Sequence, residues 1–417
     1  MKFTVDRDAL ADAVGWVARA LPARPVVPVL TGLLLSAVFG NTAQDNTQGP
    51  NGTGFLTLSC FDYEVSARVR LRAEVAEPGT VLVPGRLLGE IVRSLPSHPV
   101  SFADDPDGVS VTCGDAAFLL TPMPLADYPE LPELPQLAGT ADGGVLAHAI
   151  AQVTPAASRD DTLPMLTAVN LELDGPTMTL AATDRYRLAV RDLLWHPAPG
   201  GGDQGRAAFL VPARTLSDAA RMMTHGTEVR VMVRQPAGEA ARDGQAGPGA
   251  AEAMIGFEAG ERRLTTRLLA GEFVRYRSRF PSEFDCTADL PAEAFAEAVR
   301  RVALVAERGT PVQLTFACDR VTIGAATQGQ ARARETVAAE FAGGEPAIAF
   351  SPQYLLDGIV AAAETHPHHG GPHAAEGGAE PARVRIQFTS PAKPAVISPA
   401  PGTGDDFRYL VVPQRVG

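Results

Sequence analysis

The chain has 417 residues, of which 45% are hydrophobic, so it is long enough for two to four domains with sizeable cores. Its net charge of −12 argues against a general nucleic-acid binder, although a partner feels the local field rather than the total charge. No run of about 18 apolar residues occurs and the N-terminus lacks a signal-peptide core, so we expect a cytoplasmic protein without a membrane span.

The predicted elements recur in one order along the chain. An amphipathic helix opens the first third, with Asp6 as its N-cap and apolar residues at steps of four, three and four from Leu10 to Leu21. Strands are then predicted at 32–38, 55–61 and 65–75, and a second helix at 84–95. The middle third has a helix at 146–153, strands at 168–173, 177–182 and 188–195, and a helix at 212–224. The last third has a helix at 295–305, strands at 311–318 and 321–325, and a helix at 352–363.

A strand, a proline and the start of a helix form a signature that occurs three times. The copies read LVPGRLL at 82–88, LVPARTL at 210–216 and FSPQYLL at 350–356. The prolines are 128 and 140 residues apart, which suits repeated domains and is too long for a solenoid. We expect each proline in the first turn of its helix, where a missing N–H is not needed. The sequence therefore predicts an α+β fold of three tandem domains, at 1–137, 142–283 and 286–417, each with two helices and antiparallel sheet.

Three segments, at 41–54, 235–252 and 366–381, interrupt the repeats and have few large apolar residues. Because they cannot bury enough surface to offset the entropy of ordering, we predict disordered insertions in surface loops. The last contains four histidines, but no cysteine or carboxylate stands at a suitable spacing for a metal site. We therefore expect neither a metal nor a cofactor.

The search for catalytic chemistry finds no Walker loop, nucleophile elbow, HExxH motif or dinucleotide fingerprint. The four cysteines lack zinc-ligand spacing and are interpreted as buried, reduced thiols. The adjacent Asp160 and Asp161 are interpreted as a turn. Residues 183–187 (TDRYR) form either a strand-end turn with a structural Asp–Arg pair or part of a binding site. A hydrolase or transferase would need a cluster of titratable residues in one cleft, and the sequence identifies none, so we expect a non-catalytic protein.

Arginine occurs on predicted helices in every repeat, while Lys2 and Lys393 are the only lysines in the sequence. Codon bias and a solvated helix surface are the simpler explanations. If the repeats closed into a ring with their helices inward, however, these arginines would line the hole and contact phosphates without reading bases. The candidate DNA-facing residues are Arg7, Arg19, Arg24, Arg86, Arg93, Arg214, Arg221, Arg300 and Arg301.

Five short stretches together resemble the bacterial sliding clamp, the β subunit of DNA polymerase III. They are MKFTV at 1–5, Arg24-Pro25, Val83-Pro84, TDRYRLAV at 183–190 and YLVVPQR at 409–415. The resemblance covers nearly the whole chain apart from the three insertions. It implies a head-to-tail homodimer, a six-domain ring that encloses duplex DNA, slides along it and has no active site. It also implies that Phe118 and Leu120 of one copy meet Leu304 and Val305 of the next, for which core packing is the alternative.

The resemblance further implies a groove that takes short peptides from the replicative DNA polymerase, the clamp loader and other partners. An apolar slot with a polar rim suits aliphatic and aromatic anchors of an extended peptide. By motif match, the groove residues are Leu166, Thr183, Arg185, Tyr186, Arg187, Leu188, Phe273, Val274, Arg279, Tyr354, Ala392, Pro394, Leu410, Val412, Pro413, Gln414 and Arg415.

Departures from the family pattern fall in or beside this groove. Val274 stands where proline is common, Arg279 where an apolar residue is frequent, and Gln414 where methionine or valine is usual. The grouping favours a diverged second copy of the clamp, whose groove rejects a clamp-targeting antibiotic while admitting the polymerase peptide. Neutral variation is one alternative. Another is a non-replicative interaction hub that keeps the ring but has lost polymerase binding.

Overall fold

The computed structural model describes residues 1–40, 52–199, 206–235, 253–307, 309–327, 330–364, 382–402 and 406–415. Most of the three predicted insertions, including the histidine cluster, lies outside these residues. Residues 52–54, which we assigned to the first insertion, instead begin a strand.

Six helices are present in the described part of the chain, two in each sequence repeat, as predicted. They are α1 (Arg7–Val17), α2 (Gly85–Ser94), α3 (Gly143–Val153), α4 (Ala213–Ala220), α5 (Ala292–Ala303) and α6 (Pro352–Ala363). The Asp6 side chain accepts a 2.9 Å hydrogen bond from the Ala9 N–H and so caps α1.

The three prolines do not share one position, which corrects the prediction for two of them. Pro352 is the first residue of α6, but Pro84 and Pro212 end strands and the helices begin one residue later. Pro84 lies opposite Gly32 in a strand ladder, so its strand runs into α2 without a separate turn.

The strands of the first repeat are β1 (Lys2–Val5), β2 (Gly32–Phe39), β3 (Gly52–Phe61), β4 (Val65–Glu77), β5 (Gly79–Pro84), β6 (Val100–Asp105), β7 (Gly108–Cys113) and β8 (Ala116–Leu120). Those of the second are β9 (Gln136–Asp142), β10 (Ala168–Asp174), β11 (Thr177–Thr183), β12 (Arg187–Leu194), β13 (His196–Pro197), β14 (Ala207–Pro212), β15 (Glu228–Arg234), β16 (Met254–Ala259) and β17 (Arg262–Arg267). Those of the third are β18 (Cys286–Pro291), β19 (Val312–Ala317), β20 (Arg320–Thr327), β21 (Ala331–Ala338), β22 (Glu340–Ala342), β23 (Ala347–Phe350), β24 (Arg383–Phe388), β25 (Ala395–Pro399) and β26 (Phe407–Val411).

The chain folds into two compact units, and the second repeat is shared between them. The first unit contains residues 1–143 and 221–268, and the second contains 144–220 and 269–417. In the first unit the antiparallel order is β9-β15-β16-β17-β4-β1-β6-β7-β8, and β4 also pairs with β3, which continues to β2 and β5. The second unit has a nine-stranded sheet, β14-β10-β11-β12-β26-β25-β24-β18-β22, and a four-stranded sheet, β21-β20-β19-β23.

Two strand pairings join one sequence repeat to the next. Strand β17 of the second repeat pairs with β4 of the first, and β12 of the second pairs with β26 of the third. Because backbone hydrogen bonds cross from repeat to repeat, each unit has a sheet that continues through a repeat boundary. The prediction of an α+β fold with paired helices and antiparallel sheet is confirmed.

The helices bury apolar faces against these sheets. In α5, for example, Phe295, Val299 and Val302 are almost fully buried. Cys60, Cys113 and Cys286 are buried, as predicted, but Cys318 is exposed because it lies in the tight turn between β19 and β20. Burial raises the pKa of the Cys60 thiol to about 12, which keeps it unreactive. No helix in the described ranges is long and apolar enough to cross a membrane.

Helix α6 packs so closely on β26 that Gly358 has no room for a side chain. An added Cβ would lie 2.5 Å from Cδ1 of the fully buried Tyr409 ring. We expect Gly358→Ala to lower the free energy of unfolding by about 1–3 kcal/mol in urea denaturation, because the ring must move. Gly15→Ala in α1 is the control: its Cβ meets nothing within 4 Å, and alanine is the better helix former by about 1 kcal/mol. Equal stability of the two variants would contradict this account of α6 packing.

Candidate functional site

A tight turn joins β11 to β12 and contains the TDRYR sequence. The Asp184 carboxylate accepts 3.0 Å hydrogen bonds from the N–H groups of Tyr186 and Arg187. The Thr183 hydroxyl donates to the Arg187 carbonyl at 2.6 Å. Arg185 has φ +82°, the left-handed region that few non-glycine residues adopt. The turn leaves the Tyr186 side chain 54% exposed at the surface.

The Arg187 guanidinium joins this turn to α6. Its Nε bonds Asp184 Oδ2 at 3.0 Å, and its Nη1 bonds the Asp357 carboxylate. It also lies 4.5 Å from the centre of the Tyr354 ring, and Nη1 donates to the Tyr409 hydroxyl at 3.4 Å. Burial works to lower the pKa of Arg187, but the Tyr409, Asp357 and Asp184 oxygens outweigh it and raise the pKa. The structure thus contains the Asp–Arg pair of the turn interpretation, and the guanidinium also lies against an aromatic ring, while a binding role for residues 183–187 stays a prediction.

An apolar patch lies beside this network. Its buried members are Ala181, Leu188, Val190, Tyr276 and Leu410, and its partly exposed members are Phe273, Phe280 and Val412. Leu188 and Leu410 are brought together because they are paired residues of β12 and β26. A buried apolar floor with partly exposed aromatic and aliphatic edges can take apolar side chains from a ligand.

The segment after β26 is fixed by backbone hydrogen bonds. The Val412 N–H donates to the Tyr186 carbonyl at 2.9 Å, and the Gln414 N–H donates to the Ala349 carbonyl at 2.7 Å. Gln414 also lines a concave surface of about 510 Å³ with Arg300, Leu304 and neighbouring residues of α5 and α6. The C-terminal segment thus reaches from the apolar patch to the start of α6.

The predicted groove residues divide into two sets. Contacts join Thr183, Arg185, Tyr186, Arg187, Leu188, Phe273, Tyr354, Leu410 and Val412 to the turn, the Arg187 network or the apolar patch. Leu166 is buried, Pro394 and Pro413 are half-buried, and Val274, Arg279, Ala392, Gln414 and Arg415 are exposed; the patch itself does not include them. Their assignment to a groove stays a prediction.

The structure adds residues that the sequence reasoning missed: Ala181, Val190, Tyr276, Phe280 and Asp357. Burial raises the pKa of Tyr276, so this ring stays uncharged in the patch. An available signal was the aromatic spacing Phe273, Tyr276 and Phe280, which places three rings in one short segment. Asp357 had no such signal, since it lies 170 residues from Arg187.

Arginine side chains are concentrated on a second surface, which lies in the first unit. A concavity of about 650 Å³ lies along α1 and α2 and is lined by Arg19, Arg86, Arg93, Arg221 and Arg262, with Asp12, Glu90 and Trp16 also present. Arg262 forms an ion pair with Asp12, and its guanidinium lies 5.5 Å from the centre of the Trp16 ring. We call this concavity the basic surface. Four of the nine predicted DNA-facing arginines meet here.

Several of the predicted DNA-facing arginines also make contacts within the chain. In the basic surface, Arg86 Nη2 donates to the Pro22 carbonyl at 3.0 Å and Arg93 Nε donates to the Gly89 carbonyl at 2.9 Å. Arg7 donates from Nε to the Leu95 carbonyl at 3.1 Å and pairs with Asp8 at 2.7 Å, so it ties the start of α1 to the end of α2. Arg301 pairs with Glu335 at 2.7 Å and Glu297 at 3.2 Å, and these carboxylates raise its pKa. Arg24, Arg214 and Arg300 are exposed elsewhere on the chain.

The residues predicted at a dimer interface lie in the first and third sequence repeats. Phe118 is 36% exposed on β8, but Leu120 is 2% exposed and packs into its own unit, whereas Leu119 is 53% exposed. Because Leu120 is covered within its own unit, the exposed leucine of this strand is Leu119, and the dimer contact itself stays a prediction. Leu304, just after α5, is 84% exposed, and Val305 is half-buried.

Comparison with known proteins agrees with these features. The N-terminal, central and C-terminal domains of the DNA polymerase III β subunit match residues 1–132, 140–274 and 277–366. The beta sliding clamp of Streptomyces coelicolor is 43% identical over 420 residues, the full length of both chains. The beta sliding clamp homolog GriR of Streptomyces muensis is 40% identical over 360 residues, 86% of this chain and 88% of that protein. A Pseudomonas aeruginosa sliding clamp solved with griselimycin bound has a TM-score of 0.80 and 27% identity, with full coverage of both chains.

Fold and sequence thus define a processivity subunit of DNA replication rather than a catalytic enzyme. The chain belongs to the bacterial sliding-clamp family, the β subunits of DNA polymerase III.

The Arg187 network generates a stability prediction. Lysine keeps the charge, but it cannot bond two carboxylates and a hydroxyl from one planar group or stack on Tyr354. We expect Arg187→Lys to lower the free energy of unfolding by about 2–3 kcal/mol in urea denaturation, because Asp184 and Asp357 lose partners. The control is Arg185→Lys in the same turn, which is exposed and should change stability by less than about 0.5 kcal/mol. Similar losses in both variants would show that the turn is sensitive as a whole and that the network has no special role.

Proposed function

We propose that two copies of this sliding clamp close head to tail into a six-domain ring that holds duplex DNA and slides without sequence specificity. Domain boundaries at 1–137, 142–283 and 286–417 go with this proposal. The observation that carries it is the basic surface: a chain of net charge −12 gathers four exposed arginines, Arg19, Arg86, Arg93 and Arg221, along α1 and α2. Phosphate contacts of this kind add affinity and carry no sequence information.

The proposed ring closes where strand edges are available. Within the described residues, β8 ends the sheet of the first unit and β21 ends the four-stranded sheet of the second. Asp107 and Asp115 are exposed in the turns beside β8, whereas Arg332 and Arg334 are exposed on β21. Opposite charge and open edges favour pairing of β8 in one copy with β21 in the next, with Leu119 against Leu304.

The apolar patch is proposed to bind short peptides from the replicative DNA polymerase, the clamp loader and other partners. Support comes from its composition, since Leu188 and Leu410 form a buried floor that Phe273 and Val412 border. The exposed Tyr186 stacks near Tyr354, with ring centres 6.3 Å apart, and supplies an aromatic rim. Of the remaining predicted groove residues, Leu166 is buried and would add to the apolar slot, and the others would extend this rim. We also infer a cytoplasmic location, where replication takes place.

We further propose that this copy is specialised to resist a clamp-binding antibiotic of the griselimycin kind. Val274, Arg279 and Gln414 depart from the family pattern and are all exposed. A ligand that covered Arg279 or Gln414 with apolar groups would leave polar atoms unsatisfied, at about 1–3 kcal/mol each. Similarity to a clamp bound to griselimycin and to the homolog GriR supports choosing this ligand class. The alternative is a hub that has lost polymerase binding.

The ring proposal predicts how the chain holds DNA. Protein bound to nicked circular duplex should stay bound in a gel-filtration column, and linearisation should release it, because it would slide off the ends. In fluorescence anisotropy with short duplexes, the double variant Arg86→Ala, Arg93→Ala should reduce the slope of log affinity against log salt by about 2, equally for any sequence.

Two controls separate charge from closure. Arg320→Ala removes an exposed strand arginine that pairs with Asp319 and should leave the salt slope unchanged. Leu304→Arg should leave the slope of log affinity against log salt unchanged, because the basic surface is intact. It should abolish retention on circular DNA, because the proposed ring cannot close. Equal retention on linear and circular DNA, or a strictly monomeric wild-type protein, would refute the ring.

The resistance proposal predicts weak griselimycin binding and normal binding of a polymerase clamp-binding peptide. Calorimetric titration against the Pseudomonas aeruginosa clamp provides the reference. Gln414→Met should raise griselimycin affinity about tenfold, since about 1.4 kcal/mol of unsatisfied polar surface disappears. Arg320→Met, an exposed position on β20 outside the predicted groove, is the control and should leave griselimycin affinity unchanged. Griselimycin binding as tight as to the reference clamp would end the resistance proposal, and loss of the peptide alone would favour the hub.

A further inference from the structure

A buried carboxylate lies next to the apolar patch and belongs to a residue that was not predicted for the groove. Glu172 of β10 is 7% exposed, and its Oε1 accepts a 2.9 Å hydrogen bond from the Asn170 side chain. Its Oε2 accepts a 2.6 Å bond from Arg277 Nη2 and a second bond from Arg206. One carboxylate therefore holds two arginines that are themselves half exposed.

Arg277 belongs to the segment that contributes aromatic residues to the patch. It begins the short 3₁₀ turn Arg277–Arg279, and its guanidinium lies 5.1 Å from the centre of the Tyr276 ring. The Arg279 N–H donates to the Tyr276 carbonyl at 2.9 Å, which closes the turn. Tyr276 in turn packs edge-on against Phe273 with ring centres 6.0 Å apart.

Arg206 bonds the same Glu172 oxygen but sits elsewhere in the chain. It precedes β14, and no aromatic residue of the patch belongs to its segment. The two arginines therefore offer a matched pair. Both neutralise Glu172, but only Arg277 belongs to the segment 273–280, so only its bond to Glu172 ties the backbone of that segment to β10.

We propose that Glu172 is a positioning residue for peptide binding. Through Arg277, its carboxylate fixes the segment that contributes Phe273, Tyr276 and Phe280 to the patch. The inference rests on the proposed peptide-binding function. A segment that is ordered before binding does not have to be ordered by the ligand, so its anchor contributes to affinity without touching the peptide. Without the anchor, part of the binding free energy orders the segment and affinity falls.

The test compares Glu172→Gln, Arg277→Ala and Arg206→Ala in the full chain. The probe is a synthetic peptide with the clamp-binding motif of a replicative polymerase, measured by calorimetry. We expect about tenfold weaker binding for Glu172→Gln and Arg277→Ala, and wild-type affinity for Arg206→Ala. The double variant Glu172→Gln, Arg277→Ala should be no weaker than Arg277→Ala, because the Glu172–Arg277 bond is already lost in Arg277→Ala and the bond of Glu172 to Arg206 does not hold the segment.

Amide hydrogen exchange supplies a readout that does not need the peptide. Exchange at the Arg279 N–H should become about tenfold faster in Glu172→Gln and Arg277→Ala and stay unchanged in Arg206→Ala, since only the first two release the turn. Unchanged exchange in Arg277→Ala, or equal peptide losses in Arg277→Ala and Arg206→Ala, would overturn the positioning role. If the wild-type chain does not bind the peptide, the proposed peptide-binding function fails, and the exchange pattern still decides whether Glu172 fixes the segment.

Discussion

The antiparallel pairing of β12 with β26 is the constraint on which the second unit depends. It joins the second repeat to the end of the third, in a register that sets Leu188 opposite Leu410 and Arg187 opposite Val411. That register supplies the floor of the apolar patch. It also places the Arg187 guanidinium against α6, where Asp357 and Tyr354 complete its surroundings. A shift of one residue would exchange the faces of the strand and remove both features together.

The local distribution of charged side chains in this protein differs from what its net charge would suggest. Four exposed arginines lie in one concavity along α1 and α2, although acidic residues outnumber basic ones in the chain. On strands, by contrast, several arginines are paired across repeat boundaries, such as Arg70 with Glu261 at 2.7 Å and Arg408 with Asp192 at 2.8 Å. These pairs link strands of adjacent repeats, whereas the arginines of the basic surface lie together along α1 and α2. A net negative protein can therefore present a locally positive face.

The sequence predicted the repeated order of elements well because period and turn residues are local signals. It placed Pro84 and Pro212 in the first turn of a helix, whereas each is the last residue of a strand. A strand that continues directly into a helix has no turn residues to mark the boundary. It gave no sign that Leu120 is buried and Leu119 exposed, because an apolar run does not reveal which side chains of a strand are covered. It missed Asp357 and Glu172, whose partners Arg187 and Arg277 lie 170 and 105 residues away along the chain. Contacts of that range depend on the assembled sheet and have no local signature.

The positions that depart from the family pattern share one physical property. Val274, Arg279 and Gln414 are exposed, whereas the floor residues Leu188 and Leu410 are apolar and buried. An exposed polar side chain is hydrated in the free protein and costs folding almost nothing. It becomes costly when a ligand covers it without offering a hydrogen-bond partner. Changes on the rim can thus alter which ligands bind while the floor continues to accept the same apolar anchors, so selectivity can diverge without loss of stability.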